Sequence, residues 1–366
     1  MKFVLILLWA GVIGLLARLD GTKTFDTLGD RQEEHAKLWF AVFAFSPLIL
    51  WAGFRSGKGN VDTNAYIFSF QRLPDSFSDL QEYIKQFPND AGYTYLTWVI
   101  KRLFGESYTP YLMIIAIIHG VIVLRFYRDY SIDFAFSFFL FISSAEYLGW
   151  MMNGIRQFLA VTIILAGTPW MLEKKYIRLI LLVLLASTIH QTALMMLPII
   201  LIAQGKPWNK KTLVFILIAL GFVFATNRFT NIFSSALENT QYADNLTVME
   251  LERHAGVNPM RVLVYSVPAL LAFLLRRQIQ ERDDPRIDLF VNMSIISVAI
   301  YLIGMVTSGI MIGRLPIYVS LYGYALLPYE FDCIPSKRTA SILKVTAIAL
   351  YVAYYYYMLH FVYQQI

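Results

Sequence analysis

The sequence predicts an all-α, polytopic integral membrane protein of about 11–12 transmembrane or half-membrane helices with two outward-facing polar loops. Three observations carry that expectation. The chain is 57% hydrophobic, with a mean hydropathy of +0.54. Only 15% of its residues are charged, where a soluble chain carries about 25%. Aromatic residues make up 16% and include 23 Tyr and 7 Trp, the rings that gather at membrane–water boundaries.

Taken in order, the apolar runs lie near 3–17, 37–54, 109–124, 132–150, 154–172, 212–226, 260–275, 287–307, 311–329 and 340–363. Each is long enough, or nearly so, to cross a hydrocarbon core of about 30 Å. The first has the charged start and apolar body of a signal peptide but no small-residue cleavage site before Leu19, so it reads as a first span. The run 177–203 is long for one span, and Ser187, His190 and Gln191 interrupt it. Two short half-helices with the histidine at their tip fit it; a single tilted helix is the alternative.

Short basic loops set the orientation. "RFYRDY", "EKKYIR", "KPWNKK", "RRQIQERDDPR" and "SKR" all fall on the cytoplasmic side if 177–203 turns back on itself. The polar segments of about 55–108 and about 227–259 then face outward, and the acid-rich loop 18–36 faces inward. Within the first outer segment, "GYTYLTWVIKRLF" (92–104) sets Tyr95, Val99, Arg102 and Leu103 at helical spacing. It is too short and too charged to span, so an interfacial helix is expected near 92–104. With no internal repeat or soluble module, residues 1–366 read as a single transmembrane domain. The net charge of +6 resides in those loops, so it is no nucleic-acid signature. The lone cysteine, Cys333, excludes an intramolecular disulfide and a cysteine metal cage.

Five polar constellations interrupt the apolar pattern. "GFRSGKGNVDTNAY" puts Arg55 at a membrane exit, followed by Gly57, Gly59, Asp62 and Tyr66. Glycines let amides approach an anion, and Asp62 would cap a helix carrying Tyr66 one turn on. "NGIRQFLA" sets Asn153, Arg156 and Gln157 at i, i+3 and i+4, one helical face at the start of an apolar span where an arginine costs about 2.5–3.5 kcal/mol. "ASTIHQTAL" carries His190, and an unperturbed imidazole titrates near neutrality, which suits proton transfer. "GRLPIY" places Arg314 and Tyr318 near the outer end of a span. "NDAGYTY" offers Asp90 and Tyr93, with an ordinary helix-start carboxylate as the simpler reading of Asp90. Walker, HExxH and GxSxG motifs are absent from the sequence, and its adjacent acidic pairs lie on the inferred cytoplasmic side.

In their order and their placement relative to the spans, these five segments resemble the EpsG-like branch of the Wzy-type bacterial polysaccharide polymerases, over about residues 38 to 320. One position departs: the family commonly has Glu-x-Gly-Tyr where this chain has Asp90-Ala91-Gly92-Tyr93, a shorter carboxylate. The resemblance implies a multi-pass protein of the bacterial cytoplasmic (inner) membrane that builds O-antigen, capsule or exopolysaccharide. It implies glycosyl transfer between polyprenyl-diphosphate-linked oligosaccharides at the outer face, with no cofactor, metal or nucleotide. A chain-length regulator and a flippase of the same pathway are the partners it suggests. Arg55, Arg156 and Arg314 are then candidates to hold the departing diphosphate. His190 or Asp62, with Asp90 third, are candidates for the base. Gly59, Tyr66, Tyr93, Asn153, Gln157 and Tyr318 are candidates to bind sugar or to orient an arginine. A flippase for lipid-linked oligosaccharide and a membrane acyltransferase are the alternatives. The placing of the polar groups at outer ends of spans favours the polymerase.

Overall fold

The structure, a computed structural model, describes residues 2–28, 31–57, 61–86, 88–224, 256–307, 309 and 312–364. It is mostly helical. Among the described residues, three helices are long and apolar enough to cross a membrane, or up to five if each of two bent pairs is one span. These features make the chain a multi-pass membrane protein, as the composition requires. Five further apolar helices are shorter, at 10–17 residues. Two compact units divide the chain, one comprising residues 1–197 and 335–366, the other residues 198–334.

In the first unit, α1 (Lys2–Leu16) leads into a hairpin of β1 (Lys23–Leu28) and β2 (Arg31–Ala36), paired antiparallel with Lys23 opposite Ala36. The sequence pattern alone reads as a loop here. Its available signal is the dipeptide Gly29-Asp30 between two strand-length runs. The hairpin is tied to the end of a long helix: His35 Nδ1 donates to the Arg128 carbonyl oxygen at 3.0 Å, and Arg128 Nε donates to that of Ala36 at 3.1 Å.

Next come α2 (Leu38–Gly53), α3 (Val61–Gln71), α4 (Phe77–Gln86), α5 (Ala91–Phe104) and α6 (Tyr108–Tyr130). Helices α2 and α6 pack closely. A Cβ at Gly120 would lie 2.4 Å from Ile49 Cγ1, so this small residue sets how near the two backbones come, as is usual between membrane helices. Phe45, Leu48, Leu112, Ile115 and Val123 are fully enclosed in the resulting core.

The apolar stretch 132–150 is not one helix. It breaks at Ser144–Ala145 into α7 (Phe134–Ser143) and α8 (Glu146–Met152), bent by 75°. After Gly154 follow α9 (Ile155–Ala166), α10 (Thr168–Leu172) and α11 (Tyr176–Ile189). Helix α11 stops at His190, whose backbone is extended (φ −156, ψ 118), and a short 3-10 turn, Gln191–Met195, takes over before α12 (Met196–Ile202). The chain therefore breaks at the histidine. The break also means that Ser187, His190 and Gln191 do not share one helical face. Helix α5 lies at the expected place. Its Tyr95, Val99 and Leu103 form the exposed side, while Tyr93, Thr97 and Ile100 face the interior.

The second unit contains α13 (Lys210–Phe224), α14 (Pro259–Leu274), α15 (Arg276–Arg282), α16 (Pro285–Val306) and α17 (Ile317–Asp332). Helix α16 is its centre, packed by α13, α14 and α17. Asp284 starts it by accepting the Arg286 amide at 2.9 Å, an ordinary N-cap. The final helix, α18 (Lys337–Tyr357), belongs to the first unit, where the Tyr355 hydroxyl donates to the Phe3 carbonyl oxygen at 2.7 Å. Its Val345 and Leu350 are about two-thirds exposed, a face suited to lipid, which is as apolar as those side chains.

Candidate functional site

Helix α3 sets Asp62, Tyr66 and Phe70 one turn apart, hence on one side. That side, with α4, α5 and the start of α9, encloses a cavity of about 470 Å³ in the first unit. Asp62, Tyr66, Tyr93, Tyr111 and Arg156 line it, with Gln86, Asn89 and Thr94 adding polar groups. A volume of this size is typical of small-ligand pockets. Asp62 stands in the first turn of α3 and is exposed.

Arg156 sits in the first turn of α9, and its Nη1 lies 3.0 Å from Asp90 Oδ2. Its guanidinium carbon is 5.5 Å from the Tyr66 ring centre and 5.9 Å from that of Tyr93, within the range of cation–π attraction. The Tyr93 hydroxyl is hydrogen-bonded to that of Tyr111, which stacks at 4.7 Å on Phe70. Burial, reinforced by Tyr111, pushes the Tyr93 phenol well above its ordinary value, so it stays a neutral hydroxyl able to donate. Burial also raises the Asp90 carboxyl, although Arg156 and the Gln191 amide draw it down.

Arg55 has a different setting. It is 5% exposed and is not among the residues lining the cavity. Its Nη1 donates to the Ala52 carbonyl oxygen, and its Nε donates to Thr63 Oγ1 at 3.2 Å. Thr63 in turn donates to the Met152 carbonyl oxygen at 3.1 Å. This chain joins the end of α2, the start of α3 and the α8–α9 break. Burial pulls the Arg55 guanidinium down to about 10, still cationic at neutral pH.

Asn153, Arg156 and Gln157 each take a different partner. Asn153 Oδ1 lies 3.5 Å from Thr63 Oγ1, Arg156 pairs with Asp90, and Gln157 Nε2 donates to Thr192 Oγ1 at 3.4 Å. Thr192 also meets His190 Nδ1 at 2.8 Å. His190 does not line the cavity. Arg314 is exposed in a 3-10 turn and Tyr318 is buried in the first turn of α17, both in the second unit. Gly59 lies outside the described residues.

The sequence reading missed Thr63, Tyr111 and Thr192. Thr63 stands beside Asp62 in an already quoted segment. Tyr111 looks like an interface aromatic at a span start, and nothing in its neighbourhood distinguishes it.

A multi-pass membrane protein with one guanidinium, one carboxylate and several tyrosines around a single cavity is a candidate for handling an anionic, hydroxyl-rich ligand. The EpsG family model matches residues 38–366, and the chain belongs to the EpsG family. That membership places it among the membrane proteins of polysaccharide biosynthesis. No curated protein and no solved structure matches it.

Proposed function

We propose that the chain is a polysaccharide polymerase of the bacterial cytoplasmic membrane, joining polyprenyl-diphosphate-linked repeat units at its outer face. The observation that carries this reading is that Arg156 and Asp62 both line one tyrosine-rich cavity. The acceptor sugar's hydroxyl oxygen attacks the anomeric carbon of the donor glycan. Its proton passes to the Asp62 carboxylate as the bond from that carbon to the diphosphate oxygen breaks. Polyprenyl diphosphate departs with the electron pair, and Arg156 stabilises the charge it gains. The glycosyl diphosphate supplies the energy, so the route needs neither a nucleotide nor a metal. Tyr66 and Tyr93 offer rings and hydroxyls to the sugars. Asp62 ranks above His190 as base because a base must reach the proton it takes, and His190 is engaged by Thr192 away from the cavity.

The glycans of a host lacking the gene test this reading. Loss of long polymer, with single repeat units still exposed outside, is the expected result. Repeat units trapped on the cytoplasmic face would point to a flippase. Full-length polymer lacking only a substituent would point to a modifying enzyme.

A further inference from the structure

We infer, resting on the polymerase reading, that Asp90 is a positioning residue: its carboxylate fixes the Arg156 guanidinium at the cavity edge and takes no proton from the acceptor. Asp90 occupies the N-cap position of α5, where an aspartate ordinarily accepts an amide of its own first turn. Here it makes no such bond, and its backbone is left-handed at φ 57, ψ 37, a conformation that aspartate tolerates better than most residues. The carboxylate goes instead to Arg156, 66 residues away in sequence. Arg156 is equally out of place locally, because a cation in the first turn of α9 opposes the helix dipole. Each residue gives up its local preference for the other.

The geometry then separates their roles. The Asp90 side chain is 12% exposed and the Arg156 side chain 43%, so Arg156 is the more accessible of the two side chains. Arg156 lines the cavity and Asp90 does not. A third segment also holds the carboxylate: the Gln191 backbone N–H hydrogen-bonds to it, and Gln191 Nε2 donates to Asn89 Oδ1 at 3.4 Å. Arg156 is the charged group facing Asp90. A carboxylate fixed by an amide on one side and a guanidinium on the other acts as a strut. In that place it sets where the cation meets the departing diphosphate, and Asp62 keeps the proton-transfer role.

The test uses the purified full-length protein and lipid-linked repeat units taken from a host lacking the gene. Rates are measured against pH and substrate concentration for wild type, Asp90→Asn, Asp90→Glu, Arg156→Lys and the Asp90→Asn/Arg156→Lys pair. A misplaced Arg156 weakens the transition state more than the ground state, so Asp90→Asn should lower kcat by about tenfold or more with KM within about twofold. It should keep the acid limb of the wild-type pH profile. Asp90→Glu, which restores the charge, should recover part of the loss and serves if the Asn variant folds poorly. In the Arg156→Lys background Asp90→Asn should cost less than about threefold, because both act through one cation. Loss of the acid limb in Asp90→Asn would make Asp90 the base and overturn the inference. Wild-type rates in that variant, or an undiminished loss in the Arg156→Lys background, would overturn it as well. A wild-type protein that joins no repeats overturns the polymerase reading and this inference together, whereas polymer from wild type with any of the contrary patterns overturns this inference alone.

Discussion

Gly92 and Thr188 meet so closely that a Cβ added at Gly92 would lie 2.1 Å from Thr188 Oγ1 and 3.0 Å from its carbonyl oxygen. This contact brings the first turn of α5, which carries Tyr93 and follows Asp90, against the end of α11 just before the His190 break. Gly92→Ala should therefore push α5 away and cost about 1–3 kcal/mol by overpacking, read as a lower melting temperature in detergent together with lost polymerisation. Thr188→Ala should rescue it only in part, since the Thr188 Cβ would still lie 2.7 Å away. A Gly92→Ala protein as stable and active as wild type would contradict the packing described.

Thr63 is fully buried and serves both as acceptor for Arg55 Nε and as donor to the Met152 carbonyl oxygen. Thr63→Val keeps the shape and removes both bonds. It should destabilise the protein by about 1–3 kcal/mol, the cost of leaving buried polar groups unpaired. Thr63→Ser, which retains the hydroxyl, should lose much less. Equal melting of the Val and Ser variants would show that the hydroxyl does not join these segments.

Burial raises the Asp90 carboxyl, outweighing Arg156 and the Gln191 amide. The fold thus favours its protonated form. The stability that this contributes is full below the unfolded-state value and is lost as pH rises through the folded one. Asp90→Asn, which cannot ionise, should therefore gain melting temperature relative to wild type as pH rises through the carboxylate range. A difference that does not change with pH, or that runs the other way, would contradict this.

Much of this architecture is legible in the sequence, because burying apolar side chains in lipid leaves a strong signal in composition. The helices begin within a few residues of the apolar runs, and the break at His190 falls where Ser187, His190 and Gln191 interrupt the hydrophobic pattern. The bend at Ala145 is not legible, because it depends on a left-handed backbone at an alanine (φ 57) inside a stretch that reads as continuous helix. Helix α4 lies in a polar segment whose local pattern is amphipathic but too short to stand out. At the site, the sequence marks Asp62, Tyr66, Asp90, Tyr93 and Arg156. It does not separate cavity-lining groups from supporting ones. Arg55 is the clearest case: residue type and neighbouring glycines suggest an anion ligand, while the structure buries it among Ala52 and Thr63. Only tertiary contacts decide whether a guanidinium faces a cavity or holds segments together.

In the proposed reaction Asp62 takes the acceptor proton and Arg156 holds the departing diphosphate. The most direct measurement is to incubate the purified protein, in vesicles free of nucleotide, with lipid-linked repeat units and to count both joined repeats and released polyprenyl diphosphate. Wild type should release one polyprenyl diphosphate for each linkage it makes. Asp62→Asn should be slower by about a hundredfold or more, within the usual worth of a general base. Movement of repeat units across the vesicle membrane with no linkage formed would contradict this reaction, as would an Asp62→Asn protein that polymerises at the wild-type rate.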